Sequence, residues 1–370
     1  MYRLYSVCLL FFAAGIARAQ ATYFPVYPWA LASLDARTLS LGDASLFSAG
    51  PPATYGNPGN LGTTQTFAFG VAGEWRDTLE GSYVSEEDVF YLPLTAGIVI
   101  PRILKGSLGL TYFNLMKRYE RDEDSLPSGP YVYEDKAALS LICLGYRRTI
   151  LPRMELGAAV NFTWGNHAMN MQSPELPNMV WESSACGVSA LISNSVSVNE
   201  HVRCALRIQS PTVLWVDGVR TESLELAVEA ETLSFRESIL WAIDAGMEYR
   251  ISPPAVLVVQ ATYRDWDRSW SWADHEIQLK GGLEILALEH IAFRGGGQLQ
   301  WFYDEQEFPA SMLRVMFLNC GLGLRIGRAS LDVGLGKSVL VDHAYPGWVF
   351  YPRRFSIAMD VHVFLEKPVR

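Results

Sequence analysis

Most of this chain alternates apolar and polar residues with a period of two, over segments long enough to be β-strands. In the segment ILWAIDAGMEYRI, Trp241, Ile243 and Met247 belong to the apolar set, whereas Asp244 and Glu248 fall between them. Successive side chains of a strand point to opposite faces, so each segment has one apolar and one polar face. The fold must therefore shield the apolar face of nearly every strand from water, either in a core or in lipid.

Fourteen such segments follow one another after about residue 64, and the links between them alternate in length. The short links are Pro101 to Lys105, Arg148 to Arg153, Ser193 to Ser195, Ser252 to Pro254, Leu288 to His290 and Gly327 to Arg328. The long links are Arg76 to Tyr91, Arg118 to Pro130, Gly165 to Val180, Pro211 to Leu233, Trp266 to His275, Phe302 to Ala310 and Leu340 to Tyr351. A tilted strand needs about 9–11 residues to cross a bilayer, which each segment provides.

Strict alternation of short and long links predicts an all-β fold, a 14-stranded antiparallel up-and-down transmembrane β-barrel. An even number of strands returns both ends to one side, and closure leaves no unpaired edge in lipid. A soluble β-sandwich is the alternative, but it gives no reason for links to alternate in length. Aromatic residues near strand ends are expected at the membrane boundary or within loop packing: Trp266, Trp270, Trp272, Tyr303, Trp348, Phe350 and Tyr351.

The first residues have the pattern of a secretory signal peptide, residues 1–19. Arg3 precedes an apolar run from Val7 to Ile16, and Ala17-Arg18-Ala19 is a small-x-small cleavage pattern. The barrel is expected over residues 64–370. A secreted barrel of this kind predicts a bacterial outer membrane, with both termini in the periplasm.

Residues 20–63 are expected to form a hatch inside the bore. The stretch from Ala36 to Gly62 carries no charge after Asp43, and its Gly, Pro and Asn residues interrupt helix and strand. A 14-stranded barrel is wider than one that its own side chains fill, and irregular backbone at membrane depth must be shielded by protein or line a wet cavity. A disordered periplasmic leader is the alternative. The candidate hatch and ligand-path residues are Leu41, Gly42, Phe47, Tyr55, Asn57, Pro58, Gly59 and Leu61.

Charged residues on the polar faces of neighbouring segments are expected to pair inside the bore. This predicted network consists of Asp244, Glu248, Arg250, Arg264, Lys280, Glu284 and Arg294. Opposite charges in a partly desolvated bore pair and hydrogen-bond, which would anchor the hatch. Alternatively, Arg250, Arg264 or Arg294 binds the acid group of an amphipathic ligand.

Several function classes find no support in the sequence. A formal net charge of −9 without any basic run argues against nucleic acid. The cysteines have no CxxC spacing and no His pair beside them, so neither a metal nor a cofactor is predicted. The six histidines stand in no GxSxG or HExxH context, so no catalytic residue is assigned and the chain is not expected to be an enzyme.

The N-terminal stretch resembles the signature of the outer-membrane FadL-like superfamily, which includes long-chain fatty acid transporters and PorV/PorQ proteins. The similarity rests on Ala36-Arg37, on Leu41 to Ala44 and on Ala53 to Leu61, although Gly56 stands where that signature has an aromatic residue. Gly246 to Tyr249 and Tyr263 to Trp266 also resemble the family's strands.

The resemblance implies a barrel with a hatch and two alternative functions. One is binding or transport of a hydrophobic or amphipathic small molecule, such as a fatty acid. The other is a PorV/PorQ-like interaction protein that transports nothing and holds a secreted protein at its extracellular loops. The acidic link from Pro211 to Leu233 is a candidate surface for such a partner. Outer-membrane lipid is expected around the barrel in both cases.

Overall fold

Sixteen antiparallel strand segments make up nearly all of the described chain. The computed structural model describes residues 35–77, 94–126, 129–172, 178–224, 227–239, 241–265, 275–303, 312–343 and 353–365. The segments are β1 (Thr66–Asp77), β2 (Leu94–Ile103), β3 (Gly106–Leu126), β4 (Gly129–Leu151), β5 (Met154–Gln172), β6 (Asn178–Ser197), β7 (Val202–Gln209), β8 (Thr212–Leu224), β9 (Ala227–Ile239), β10 (Trp241–Ser252), β11 (Ala255–Asp265), β12 (His275–Leu288), β13 (Ile291–Tyr303), β14 (Met312–Ile326), β15 (Ala329–His343) and β16 (Arg353–Phe364). None of the helices in these ranges is long and apolar enough to cross a membrane.

The segments close into a ring of fourteen wall strands. β1 pairs with both β2 and β16, and β5 pairs with both β4 and β6, so the ring is closed. The first part of β6 pairs with β8, and its last part pairs with β7. On the other side of these two segments, β9 pairs with β8 and β10 pairs with β7. β7 with β8, and β9 with β10, therefore each form one wall strand. The prediction of a 14-stranded antiparallel barrel is confirmed.

A proline accounts for the break between β7 and β8. Ser210 and Pro211 separate the two segments, and proline has no N–H to donate to a neighbouring strand. Ser210 bridges the gap, because its N–H donates to the Ala190 carbonyl at 2.8 Å and its hydroxyl accepts from the Ala190 N–H at 2.9 Å. The interruption is a local bulge, and the wall continues through it.

The two faces of the wall differ as the alternation predicts. Phe69, Phe162 and Phe293 point outward and are each 53% exposed, whereas Asp244 and Gln260 point inward and are 1% and 0% exposed. A soluble sandwich would reverse this arrangement and bury the phenylalanines. The apolar exterior and polar interior of a closed ring identify a transmembrane β-barrel.

Strand ends are where the sequence prediction is wrong. Three links expected to be long loops are largely strand: β3 and β4 extend into Arg118 to Pro130, β5 and β6 into Gly165 to Val180, and β8 and β9 into Pro211 to Leu233. Outside the membrane, both faces of a strand can be polar. The strands therefore stay paired beyond the point at which the apolar–polar alternation of the sequence ends.

One predicted short turn is also misplaced. Ser193 and Ser195 lie within β6 as buried inner-face residues, and the turn falls further along the chain, at residues 198–201. Small polar residues on an inner face have the same composition as a turn, which explains the error.

Some predictions concern residues outside the described ranges. These are the signal peptide (residues 1–19), the first part of the expected hatch (residues 20–34) and the aromatic residues Trp266, Trp270, Trp272, Trp348, Phe350 and Tyr351. Tyr303 is described: it is the last residue of β13 and is 37% exposed.

Candidate functional site

The N-terminal segment, residues 35–61, lies against the inner face of the wall and is almost entirely buried. It contains two short α-helices, α1 (Ala36–Ser40) and α2 (Ala53–Gly56), and two 3₁₀ turns, η1 (Ser45–Phe47) and η2 (Pro58–Asn60). Asp35 caps α1, because its carboxylate accepts from the Thr38 N–H and the Thr38 hydroxyl, both at 2.7 Å. Local capping thus fixes the first turn of α1.

An ion pair holds α1 to β12, and further ion pairs link β12 to β13 and β13 to β15. The Arg37 guanidinium lies 3.0 Å from Glu284, which also accepts from Arg294 at 2.5 Å. Arg294 reaches on to Asp332 at 2.5 Å, and the Ala36 N–H donates to Asp360 on β16. Burial by itself would lower the pKa of Arg37, but the Glu284 carboxylate raises it above its usual value. Arg37 therefore stays charged in this network.

Glycines let the backbone of the segment touch the backbone of the wall. Gly42 has a φ of +73°, and a Cβ placed there would come within 2.2 Å of the Gly297 carbonyl oxygen and 2.7 Å of the Gly281 carbonyl oxygen. On the wall, a Cβ at Gly282 would lie 2.6 Å from the Leu41 Cα. The paired glycines of β12 and β13 therefore form a flat site that fits the Gly42 turn.

Polar contacts continue along the middle of the segment. The buried Lys280 ammonium lies 3.1 Å from Asp43, and the Leu46 N–H donates to the Gln260 side chain at 3.0 Å. Gln260 in turn donates to Asp244 at 2.9 Å, and Asp244 pairs with Arg207 at 2.6 Å. The segment is thus bound to β12 by one ion pair and to β11, β10 and β7 by a continuous chain of hydrogen bonds.

Strands on the opposite side of the ring hold the last part of the segment. The Asn57 amide donates to the Leu46 carbonyl at 3.0 Å and to the Ser195 hydroxyl at 3.2 Å, and its oxygen accepts from the Gly59 N–H at 3.0 Å. The Leu61 carbonyl accepts from Arg147 at 2.6 Å. Because α1 is held by β12 to β16 and these residues by β4 to β6, the segment extends across the bore.

Tyr55 packs on an apolar patch of the inner wall. Its ring centroid is 5.7 Å from that of Phe113, within a cluster of buried residues completed by Leu141, Cys143, Ala159 and Leu191. The Arg207 guanidinium also lies over the Tyr55 ring, 5.7 Å from its centroid. A second inner cluster joins Leu41, Leu46 and Phe47 to Ala205 and Val258.

The structure therefore gathers all the candidate hatch residues in one segment, where all except the partly buried Tyr55 are buried: Leu41, Gly42, Phe47, Tyr55, Asn57, Pro58, Gly59 and Leu61. Their position against the inner wall does not test whether they close the bore, so the hatch stays a prediction.

Five residues of the predicted charged network lie in hydrogen-bonded pairs, namely Asp244, Arg264, Lys280, Glu284 and Arg294. The Glu248 carboxylate interacts electrostatically with Arg37, and Arg250 is exposed near the end of β10. Sequence analysis missed Arg37, Asp43, Arg207, Glu276 and Asp332, which supply most of the partners. Strand parity could have found the wall residues, but not the two from the segment.

Every cation that is at least partly buried, among residues whose side chains the structure describes, contacts a carboxylate. These eight are Arg37, Arg147, Arg203, Arg207, Arg220, Arg264, Lys280 and Arg294. In particular, Arg264 lies 3.2 Å from Glu276, and Arg294 has two carboxylate partners. Within these ranges, no group of three or more potential ligands is arranged to hold a metal ion.

The fold of this chain, a closed 14-stranded antiparallel barrel, is similar to the folds of several solved structures. The crystal structure of the Ralstonia pickettii toluene transporter TbuX matches it with a TM-score of 0.65 at 12% identity, over 91% of this chain and 100% of that one.

Two further solved structures have the same fold. The Pseudomonas putida toluene transporter TodX matches with a TM-score of 0.64 at 9% identity, over 92% of this chain and 99% of that one. A Pseudomonas aeruginosa FadL homologue matches with a TM-score of 0.66 at 10% identity, over 90% and 98%. Comparison with protein-family models found no match, and neither did a comparison with curated proteins. The similarity to the FadL-like superfamily is therefore confirmed at the level of the fold.

Proposed function

We propose that this protein is an outer-membrane channel for neutral hydrophobic small molecules and that residues 35–61 act as its hatch. The observation that carries the proposal is the buried N-terminal segment, held on opposite sides of the bore by β12 to β16 and by β4 to β6. The similar structures support the class of cargo, since two are described as toluene transporters. The short turns would face the periplasm, together with both termini.

The charges of the bore favour a neutral ligand over a fatty acid. A fatty acid needs a cation for its carboxylate, yet Arg264 and Arg294 already contact carboxylates of the wall. Displacing such a partner would leave a buried carboxylate without its cation, which costs several kcal/mol. A neutral hydrocarbon avoids this cost. Arg250 is not available in the bore, because it is exposed near the short-turn end of the barrel.

The apolar patch beneath Tyr55 supplies a surface for such a ligand. When the segment moves, Phe113, Leu141 and Leu191 lose their cover and form an apolar strip on the inner wall. A monoaromatic ring would fit in place of the Tyr55 ring and keep the ring contact with Phe113. The ligand would thus compete with the hatch for one surface, which couples binding to opening.

An uptake experiment with two matched solutes tests this function. Cells that lack their own channels for these solutes would express the protein, and uptake of labelled toluene and labelled benzoate would be measured. We expect faster uptake of toluene and unchanged uptake of benzoate. No increase for toluene, or an equal increase for both, would refute the proposal.

The PorV/PorQ-like function remains the alternative, and the acidic hairpin of β8 and β9 is the feature that favours it. Asp217 and Glu231 are exposed on this hairpin. Co-purification of a secreted protein, lost when both residues are changed to Asn and Gln, would support this alternative. Toluene uptake by the same cells would distinguish the two functions.

A further inference from the structure

The turn between β2 and β3 has an unusual backbone. Arg102, Leu104 and Lys105 have φ angles of 63°, 48° and 65°, in the left-handed region that favours glycine. A tight hairpin of this kind normally uses Asn and Gly. Strained positions of this type cluster at functional sites, since the surrounding structure must hold them. Leu104 is 82% exposed, so the strain does not serve to bury its side chain.

Three exposed cations surround this turn. Lys105 lies in the turn, Arg102 lies next to the last residue of β2, and Arg148 on β4 lies nearby, because Arg147 pairs with Ser107 at the start of β3. The nearby carboxylate of Glu155 is directed inward, where it pairs with Arg147 and Arg203. The outer side of the turn thus presents positive charge beside an exposed leucine.

An apolar groove lies on the outer wall above the same turn. It has a volume of about 500 Å³ and is lined by Phe67, Phe69, Ile98, Tyr112 and Ile142, among others. The groove exists because Ala96 is paired with Phe69 on one side and with Tyr112 on the other. A small side chain between two aromatic ones leaves a furrow in the lipid-facing surface.

The separation between groove and cations matches the size of a lipid. Ala96 and Arg102 lie on the same strand six residues apart, which corresponds to about 20 Å along the strand. At a tilt of about 40° this is roughly 15 Å along the membrane normal. Half of a bilayer's hydrocarbon core is also about 15 Å thick. The groove therefore lies near mid-membrane when the cations lie at the headgroups.

We propose that this groove and turn bind one anionic phospholipid from the leaflet that faces the short turns. The phosphate lies between Arg102, Lys105 and Arg148, and an acyl chain occupies the groove over Ala96. Guanidinium groups match phosphate oxygens in geometry as well as charge, and the exposed Leu104 inserts among the acyl chains. A second copy of the chain is disfavoured as the occupant, because its own turn would bring the same positive charges to this surface. The site is independent of what the bore transports.

Native mass spectrometry of the purified barrel tests the site. Phosphatidylglycerol and phosphatidylcholine with identical acyl chains are added separately, and the bound lipid is counted. Each cation near a headgroup contributes about fivefold, so the wild-type protein should prefer phosphatidylglycerol by at least about tenfold. The triple variant R102Q/K105Q/R148Q should lose this preference. The variant A96F, which fills the groove, should weaken binding of both lipids.

The double variant R325Q/R328Q is the matched control, because both residues are exposed at another short turn, and it should keep the preference. Equal binding of the two lipids by the wild-type protein would overturn the proposal without any variant. An unchanged preference in the triple variant would also overturn it, as would an equal loss in the control. Because none of these measurements involves uptake, the result stands apart from the proposed channel function.

Discussion

Replacing Gly42 with alanine should release the N-terminal segment from the wall. Gly42 has a φ of +73°, and its added methyl would lie 2.2 Å from one wall carbonyl oxygen and 2.7 Å from another. Both atoms belong to strand backbones, so neither can move aside as a flexible side chain would.

Two costs add in this variant. An L-residue in the left-handed region costs about 1–2 kcal/mol, and overpacking against a rigid neighbour costs about 1–3 kcal/mol. The sum is about 2–5 kcal/mol, which shifts the equilibrium between docked and undocked segment by about 30-fold or more. The wall itself should stay intact, because only the segment must move to relieve the contact.

Hydrogen exchange of the amides in residues 35–61 measures this shift directly, and conductance across a planar bilayer measures its effect on the bore. We expect protection in this segment to fall by about 30-fold or more and conductance to rise. Gly295→Ala is the matched control, since a Cβ there has nothing within 4 Å. Unchanged protection in the Gly42→Ala protein, or the same loss in the control, would refute the steric argument.

Three further perturbations test the same segment. Asp43→Asn removes the carboxylate 3.1 Å from the buried Lys280 ammonium, so it should lower stability by about 2 kcal/mol in urea unfolding, and adding Lys280→Met should restore most of the loss. Asn57→Ala deletes three hydrogen bonds that join the segment to itself and to Ser195, and should cost about 2 kcal/mol, whereas Asn199→Ala at an exposed turn should cost less than about 1 kcal/mol. Deleting residues 36–62 should raise leakage of small solutes through reconstituted barrels; permeability equal to that of the full chain would contradict the hatch.

The inner and outer faces of the wall could be assigned from the sequence because a strand has a period of exactly two. Within each strand, assigning one side chain to the inner or outer face assigns all the others. This rule places Asp244 inside and Phe69 and Phe293 outside, and their exposed fractions agree. Strand ends could not be assigned in this way. The serines of β6 show the limit: their polarity indicated a turn, whereas it serves Asn57 and Gly59 inside the bore.

The partners within the bore were only partly predictable. Glu284 and Arg294 face each other on neighbouring strands, which the sequence pattern indicates. Arg37, which lies 247 positions before Glu284, was not expected there. The glycines of β12 and β13 were also unexplained until Gly42 was found against them. Such contacts depend on where the segment crosses the ring, which local periodicity does not encode.

The sequence by itself determined the number of wall strands, their alternating faces and the shielded position of the uncharged N-terminal stretch, because strand geometry and the insolubility of bare backbone in lipid leave few other solutions. Only the tertiary structure decided which charges meet, which glycines allow the segment to approach the wall, and where a groove opens on the outer face of β1, β2 and β3. Those features depend on register and closure, which bring together residues hundreds of positions apart in the chain.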